Sequence, residues 1–417
     1  MSDMSEATVV PHYGDDGRSG TYQASGLPDR AQVAWVAATE GEVITSPVLA
    51  GGTLLVADVA ATLYAFDAAT GELRWSHTYR DDEGGEDEEF EPGDFVTQLP
   101  IAVWNDLVFV GVSGLDYEFD DSLHVHELKT GQVVRTMRGQ WHPTVAGDLL
   151  LLSGDGVRAL DLPDLSPRWR STKLHGWLDA APAVSADGTA FAARGLEANR
   201  TSGGVDAFDV RTGKAAFDRV VDVAIGQDGE QAALVQCAHA VLGDGLVWLP
   251  VAWGGDDEAV RSGGGVVGLD PRTGERRAHH LLHGSWLAGT VAVAGGVLYY
   301  ADEEGDGEPP ILGRAVSALD IATGRSLWRF PLKGQAAGAP VVASGVVYVA
   351  TYSGEVVALD AATGEPRWAL ALDTKIENRY DLDDPDGEAV YDETGLVVLP
   401  ADGMLYVRTS GGVVALR

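Results

Sequence analysis

One eleven-residue pattern, Ala-x-Asp-x-x-Thr-Gly-x-x-x-Trp, is written three times in full along this chain. It runs from Ala65 through Asp67, Thr70 and Gly71 to Trp75, from Ala318 through Asp320, Thr323 and Gly324 to Trp328, and from Ala358 through Asp360, Thr363 and Gly364 to Trp368. Weaker copies keep the register. Ala159 and Asp161 lead to Trp169 without the Thr-Gly; Ala207, Asp209 and Gly213 lead to Phe217. Gly268, Asp270 and Gly274 end on Ala278, and Val125, Glu127 and Gly131 end on Arg135. Successive third positions lie 34 to 61 residues apart, a period that belongs to solenoids, propellers and arrays.

Each copy is preceded by two apolar runs with strand alternation and Gly-rich breaks, as in Val341–Ala343, Gly345–Ala350 and then Glu355–Leu359. The pattern itself supplies a third strand, a tight turn and a fourth strand. In the turn the Asp accepts from the amides that follow it, and the Gly takes the positive φ that closes the hairpin. The aromatic at the eleventh place then lies on the outer strand, where it can dock on the neighbouring blade. Four antiparallel strands per unit, set in a ring, leave only short protected edges. Third strands are expected near 62–67, 122–127, 156–161, 204–209, 265–270, 315–320, 355–360 and 412–416, which makes eight blades. Seven would require the copy at 156–161 to be something else. The last third strand ends the chain, and Arg30–Trp35 resembles the missing fourth strand, with Trp35 in the aromatic place. The chain therefore reads as an all-β, eight-bladed propeller spanning 31–417, closed by its own N-terminal strand and preceded by an arm over 1–30.

The Asp-x-x-Thr-Gly-x-x-x-Trp pattern is similar to the tryptophan-docking repeat of the pyrroloquinoline-quinone (PQQ) propeller superfamily. That superfamily includes quinoprotein alcohol dehydrogenases and BamB-type assembly lipoproteins. The segment Tyr13 to Gly20 also resembles the lead-in to the first blade in many members. The resemblance covers nearly the whole chain and implies the fold; it leaves function open, since one scaffold hosts many sites.

The formal charge of −34, from 29 basic and 63 acidic residues, repels phosphate backbones and argues against nucleic-acid binding. Acidic clusters fall at Asp81–Glu89 with Asp94, Asp116–Asp121, Asp302–Glu308 and Asp381–Glu393, and read as solvated loops. No apolar run approaches the ~20 residues that span a membrane. Met1–Glu6 has neither a basic nor an apolar leader region, so a cytoplasmic, monomeric protein is expected, or an exported one if a leader has been removed. The single Cys237 rules out an intramolecular disulfide and reads as a small strand residue.

Insertions fall between second and third strands, or between one blade's outer strand and the next inner strand. Those loops share one face in a propeller, and binding residues tend to sit on loops carried by a rigid scaffold. A second recurrence marks the connectors. Gly41, Gly176, Gly284 and Gly334 each stand six residues before Pro47, Pro182, Thr290 and Pro340, preceded by Glu40, His175, His283 and Lys333. These side chains are expected to form one tier around the channel mouth, joined by Trp141 and His142 and by His239 on corresponding connectors. The bland reading is that the Gly and Pro set connector geometry and the tryptophans cover gaps between blades. The chemical reading makes His175, His283, His142 or His239 an acid or base. Trp141, Trp177, Trp253, Trp286 and Lys333 would line the pocket, and Asp179 or Arg194 would orient a substrate.

The fragment from Asp302 to Gly307 matches the opening of a calcium loop, but Gly313 stands where the bidentate Glu is needed. His279, His280 and His283 lack a carboxylate or thiolate at matching spacing for zinc. The resemblance implies for quinoprotein dehydrogenases a vicinal disulfide and a calcium held by Glu and Asn. A single cysteine excludes the first, and no such ligand set maps onto this sequence. No cofactor is therefore expected, with calcium at Asp302–Glu308 the one candidate. The leading reading is a non-catalytic scaffold whose acidic loop face takes a small molecule or a basic protein. The alternative is a cofactor-independent lyase, isomerase or cyclase using the His/Trp site, and behind it a PQQ-dependent dehydrogenase.

Overall fold

The computed structural model describes residues 9–10, 15, 18–25, 27, 29–79, 100–112, 122–139, 142–154, 156–171, 181–194, 203–220, 235–237, 239–253, 263–282, 291–302, 314–376, 396–401 and 403–417. They form eight sheets, each built on four antiparallel strands, in sequence order in all but the last, with the third strands at Thr62–Asp67, Ser122–Glu127, Gly156–Asp161, Gly204–Asp209, Gly263–Leu269, Ala315–Asp320, Glu355–Asp360 and Gly412–Leu416. The eight-bladed propeller expected from the repeat is the fold. The copy at 156–161 is a true blade, the third: its turn lacks the Thr-Gly, and Leu165 takes the left-handed conformation there (φ 58°). The Leu165 amide donates to Asp161 O at 2.7 Å, as the turn Gly does in other copies.

The turn works as its residues dictate. Asp67 Oδ1 accepts from the amides of Ala69 (3.0 Å) and Thr70 (2.9 Å), and its Oδ2 from Arg74 at 2.7 Å. Arg74, then those amides and the Thr70 hydroxyl, hold the Asp67 carboxyl below its ordinary range. The outer-strand aromatic then reaches into the next blade's turn. Trp75 donates its indole N–H to Leu128 O (2.8 Å), Trp169 to Val210 O (2.8 Å) and Trp328 to Ala361 O (3.0 Å). Blade 5 differs: Ala278 occupies the eleventh place, but His280, two residues on and so on the same strand face, bonds Ile321 O at 2.8 Å.

Blade 8 closes as expected, though later in the chain. Its fourth strand is Val33–Ala38, antiparallel to Gly412–Leu416, with Gln32 and Arg417 exchanging amide bonds at 3.0 Å. Trp35 donates to Ala68 O at 3.2 Å, which joins blade 8 to blade 1. The arm before it also takes part in the ring. Val9–Val10 pairs antiparallel with Val48–Ala50, and Thr21–Tyr22 pairs parallel with Val341–Ala343. Each adds a fifth strand on the axial side of a blade's innermost strand.

Candidate functional site

Between those two short strands the arm is held by several blades at once. Arg18 Nη1 donates to Ala181 O of blade 4 at 2.6 Å. Ser19 O accepts from Val293 of blade 6 (2.8 Å), and Gly20 O from Val342 of blade 7 (2.9 Å). Thr21 Oγ1 donates to Val293 O at 3.1 Å, and Ser344 Oγ donates to Ala24 O. Arg18, Ser19, Tyr22 and Ala24 are all buried. Innermost strands line the axis of a propeller, so the chain's own arm lies in the channel.

Of the residues expected around the mouth, Trp141, His175, Trp177, Asp179, His283 and Trp286 lie outside the described residues. So do Asp81–Glu89, Asp94, Asp116–Asp121, Asp381–Glu393 and the 303–308 part of the calcium candidate. Arg194 and Trp253 end the second strands Thr189–Arg194 and Leu246–Trp253. His142 opens the inner strand His142–Ala146 opposite Ser153, and His239 stands between Val235–Cys237 and Val241–Gly243 of blade 5, buried. The two histidines belong to the inner regions of blades 3 and 5. Burial first, and the Arg18 charge second, push His142 down to about 4, so it is neutral at pH 7 and shares its surroundings with the arm.

Lys333 is exposed and bonded to Glu355 Oε1 at 2.6 Å across its own blade. Its neighbour Gly334 explains the connector recurrence. A Cβ at Gly334 would lie 3.0 Å from Ser353 Oγ, and one at Gly41 would lie 3.1 Å from Asp58 Oδ2. Both connectors fold tightly onto the turn between the second and third strands of their blade, with bridges Val43 to Asp58 and Ala336 to Thr351. Asp58, fully buried, accepts from the Gly41 amide (2.9 Å), the Thr62 amide (3.0 Å) and Tyr64 Oη (2.9 Å). At these two blades the spacing serves connector geometry.

A cluster that loop reading misses lies between blades 1 and 2. His77 and Tyr79 on one side face His124 and His126 on the other, with ring centroids 4.7 to 5.7 Å apart across the seam. Tyr79 Oη meets His126 Nε2 at 2.8 Å, His126 Nδ1 meets Gly131 O at 3.0 Å, and Ser122 Oγ meets His124 Nε2 at 2.8 Å. Burial lowers all three histidines, His124 and His126 to about 4, and raises Tyr79. The sequence signal was the alternation His77-x-Tyr79 and His124-x-His126, which sets each pair on one strand face.

A family model described as outer membrane protein assembly factor BamB matches residues 27–134 and 312–416, just over half of the chain. The chain belongs to this family of PQQ-repeat propellers. BamB of Yersinia pestis is 33% identical over 92 residues, which cover 22% of this chain and 21% of that protein. The serine/threonine-protein kinase AfsK of Streptomyces griseus is 33% identical over 145 residues, 33% of this chain and 16% of that one. Among solved structures, quinohemoprotein alcohol dehydrogenase from Comamonas testosteroni superposes with a TM-score of 0.66 at 14% identity, covering 99% of this chain and 80% of that one. BamB from Moraxella catarrhalis gives 0.59 at 15% identity, covering 93% and 97%. At such identities the structural likeness shows the PQQ-repeat fold alone.

Proposed function

We propose that this PQQ-repeat propeller is a non-catalytic, protein-binding scaffold that works from its loop face. The observation that carries the reading is the arm in the channel. Arg18 to Ala24 bond the entry to the inner strand of blade 4 and the inner strands of blades 6 and 7, where an axial small-molecule site would be built. With the axis taken up by backbone, the surface left for recognition is the face carrying the long loops. Membership in a family named for outer membrane protein assembly supports a protein partner. It also favours an envelope setting over a cytoplasmic one. A net charge of −34 favours a basic surface on that partner, drawn in by long-range steering.

Carboxyl-directed cross-linking of the full chain to proteins captured from its own cells, at low and moderate ionic strength, tests this. The expected result is cross-links confined to the acidic loops and weakened by salt. Links concentrated on the opposite face, at Asp67, Asp320 and Asp360, would overturn it. The reading takes no quinone, because the arm backbone stands on the axis and no cysteine pair exists beside Cys237. Titration of PQQ with calcium, followed by quinone absorbance, is expected to show no stoichiometric complex; a one-to-one complex at micromolar concentration would overturn the scaffold reading.

A further inference from the structure

At the contacts of blade 6 with 7, 7 with 8 and 8 with 1 the second residue after the docking aromatic is apolar, whereas Ser171 and Arg219 stand there after Trp169 and Phe217. At blades 6 and 7, Phe330 and Leu332 follow Trp328 and pack with Val357 and Leu359. At blades 8 and 1, Ala37 follows Trp35 and packs with Tyr64 and Phe66. At blades 1 and 2, His77 and Tyr79 follow Trp75 instead, and His124 and His126 oppose them. Among the described residues no three His, Cys, Asp or Glu side chains are placed to hold a metal ion.

We propose that this cluster is a pH-responsive seam: closed while its imidazoles are neutral, it loosens the contact between blades 1 and 2 as they take up protons. The hydrogen bonding carries the switch. Gly131 O can only accept, so His126 Nδ1 bears the proton and Nε2 accepts from Tyr79 Oη. A second proton on Nε2 turns that acceptor into a donor, and the buried Tyr79 hydroxyl must reverse or lose its bond. Among the described residues no carboxylate faces it. On blade 1 the neighbours are Leu63, Ala65 and Trp75; on the second strand of blade 2 they are Val108 and Val110. The outer strand of blade 2 contributes Thr136, bonded to His124 Nδ1 at 3.3 Å, and Arg138 opposite Ser122. Among the described residues the titratable and charged groups on this face are thus three histidines, a tyrosine and an arginine, and a proton added to one imidazole is repelled by the next. The acidic runs that follow Tyr79 and precede Ser122 in sequence lie outside the described residues.

The direction is fixed by linkage. His124 and His126 bind protons near pH 4 in the closed seam and near 6.5 when exposed. The closed form is therefore fully favoured above pH 6.5 and loses ground as pH falls from there toward 4. At pH 5 each of the two histidines shifts the opening equilibrium by about 30-fold. Elsewhere in a chain of charge −34, acid relieves repulsion and acts the other way.

The test is hydrogen exchange on the full chain at pH 7 and pH 5, corrected for intrinsic rates. Protection at Leu73–Thr78 and Ser122–Glu127 is expected to fall at least tenfold more than at Ser326–Pro331 and Glu355–Asp360. The combined variant Tyr79→Phe, His124→Val, His126→Leu is expected to abolish that difference. Equal loss of protection at both seams, or a variant as acid-sensitive as the parent, would overturn the proposal. Should the variant fail to fold, imidazole NMR titration of the parent decides: His124 and His126 resonances that move with midpoints near 6.5 would overturn it, and midpoints below 5 support it.

Discussion

Gly364 and Gly345 separate the two tasks a turn glycine performs in this ring. Both sit in blade 7 with left-handed backbone, φ 71° and 75°. An added Cβ at Gly345 meets nothing within 4 Å, whereas at Gly364 it would lie 2.6 Å from Cδ2 of Trp328, docked from blade 6. Gly345→Ala should therefore cost only the left-handed penalty of an L-residue, about 1–2 kcal/mol. Gly364→Ala carries the same penalty plus about 1–3 kcal/mol for forcing the indole off its seat. Trp328→Ala alone should cost about 3 kcal/mol from lost packing. Ala361 O keeps a second donor in Tyr299 Oη at 3.2 Å, so no buried carbonyl is orphaned. In the Trp328→Ala background the ring is gone, and Gly364→Ala should fall to the Gly345 value. Equilibrium urea denaturation of the parent, the three single variants and the Gly364/Trp328 double variant gives the coupling directly. If Gly364→Ala costs the same with and without Trp328, the aromatic does not lock neighbouring blades through this glycine.

Deleting residues 1–38 removes the closing strand and Trp35, and is expected to prevent a stable fold; an unchanged melting temperature in that truncation would refute closure through Val33–Ala38. Deleting 1–17 keeps that strand and the bonds of residues 18–24 to the blades while removing the Val9–Val10 pairing and the Asp15 bonds to Arg18 and Ser19, and should lower the melting temperature by less; a loss equal to the longer deletion would show that the arm matters as much as closure. Stability should rise with sodium chloride as the screening length shrinks from roughly 30 Å at 0.01 M to roughly 8 Å at 0.15 M. A melting point indifferent to salt would mean that the excess of 63 acidic over 29 basic residues is too dispersed to act.

The ring was legible because its repeat encodes both a turn and a contact. Asp and Thr-Gly fix a hairpin by local hydrogen bonds, and the eleventh residue sits where the next blade's turn arrives, so counting copies counted blades. The reading failed where a neighbour supplied the function. Ala278 is too small to dock, and His280, on the same face, does so; Trp248 stacks on it at 6.2 Å from the second strand of the same blade. Period-two alternation would have found His280, but a fixed eleven-residue frame hides it. The arm in the channel left no such trace. Its paired segments are two residues long, one of them parallel, and most of its remaining bonds run through backbone carbonyls that any sequence possesses. His175 and His283, which stand beside glycines on the loops, lie outside the described residues; among the described residues the dense grouping of imidazoles lies on strands that the repeat marks as structural. A repeat fixes which positions face a neighbouring blade, and a site within such a fold shows itself as the copy whose facing residues break the apolar rule. Ser171, Arg219 and His280 break it singly at blades 3, 4 and 5, whereas blades 1 and 2 carry the break as a cluster of rings.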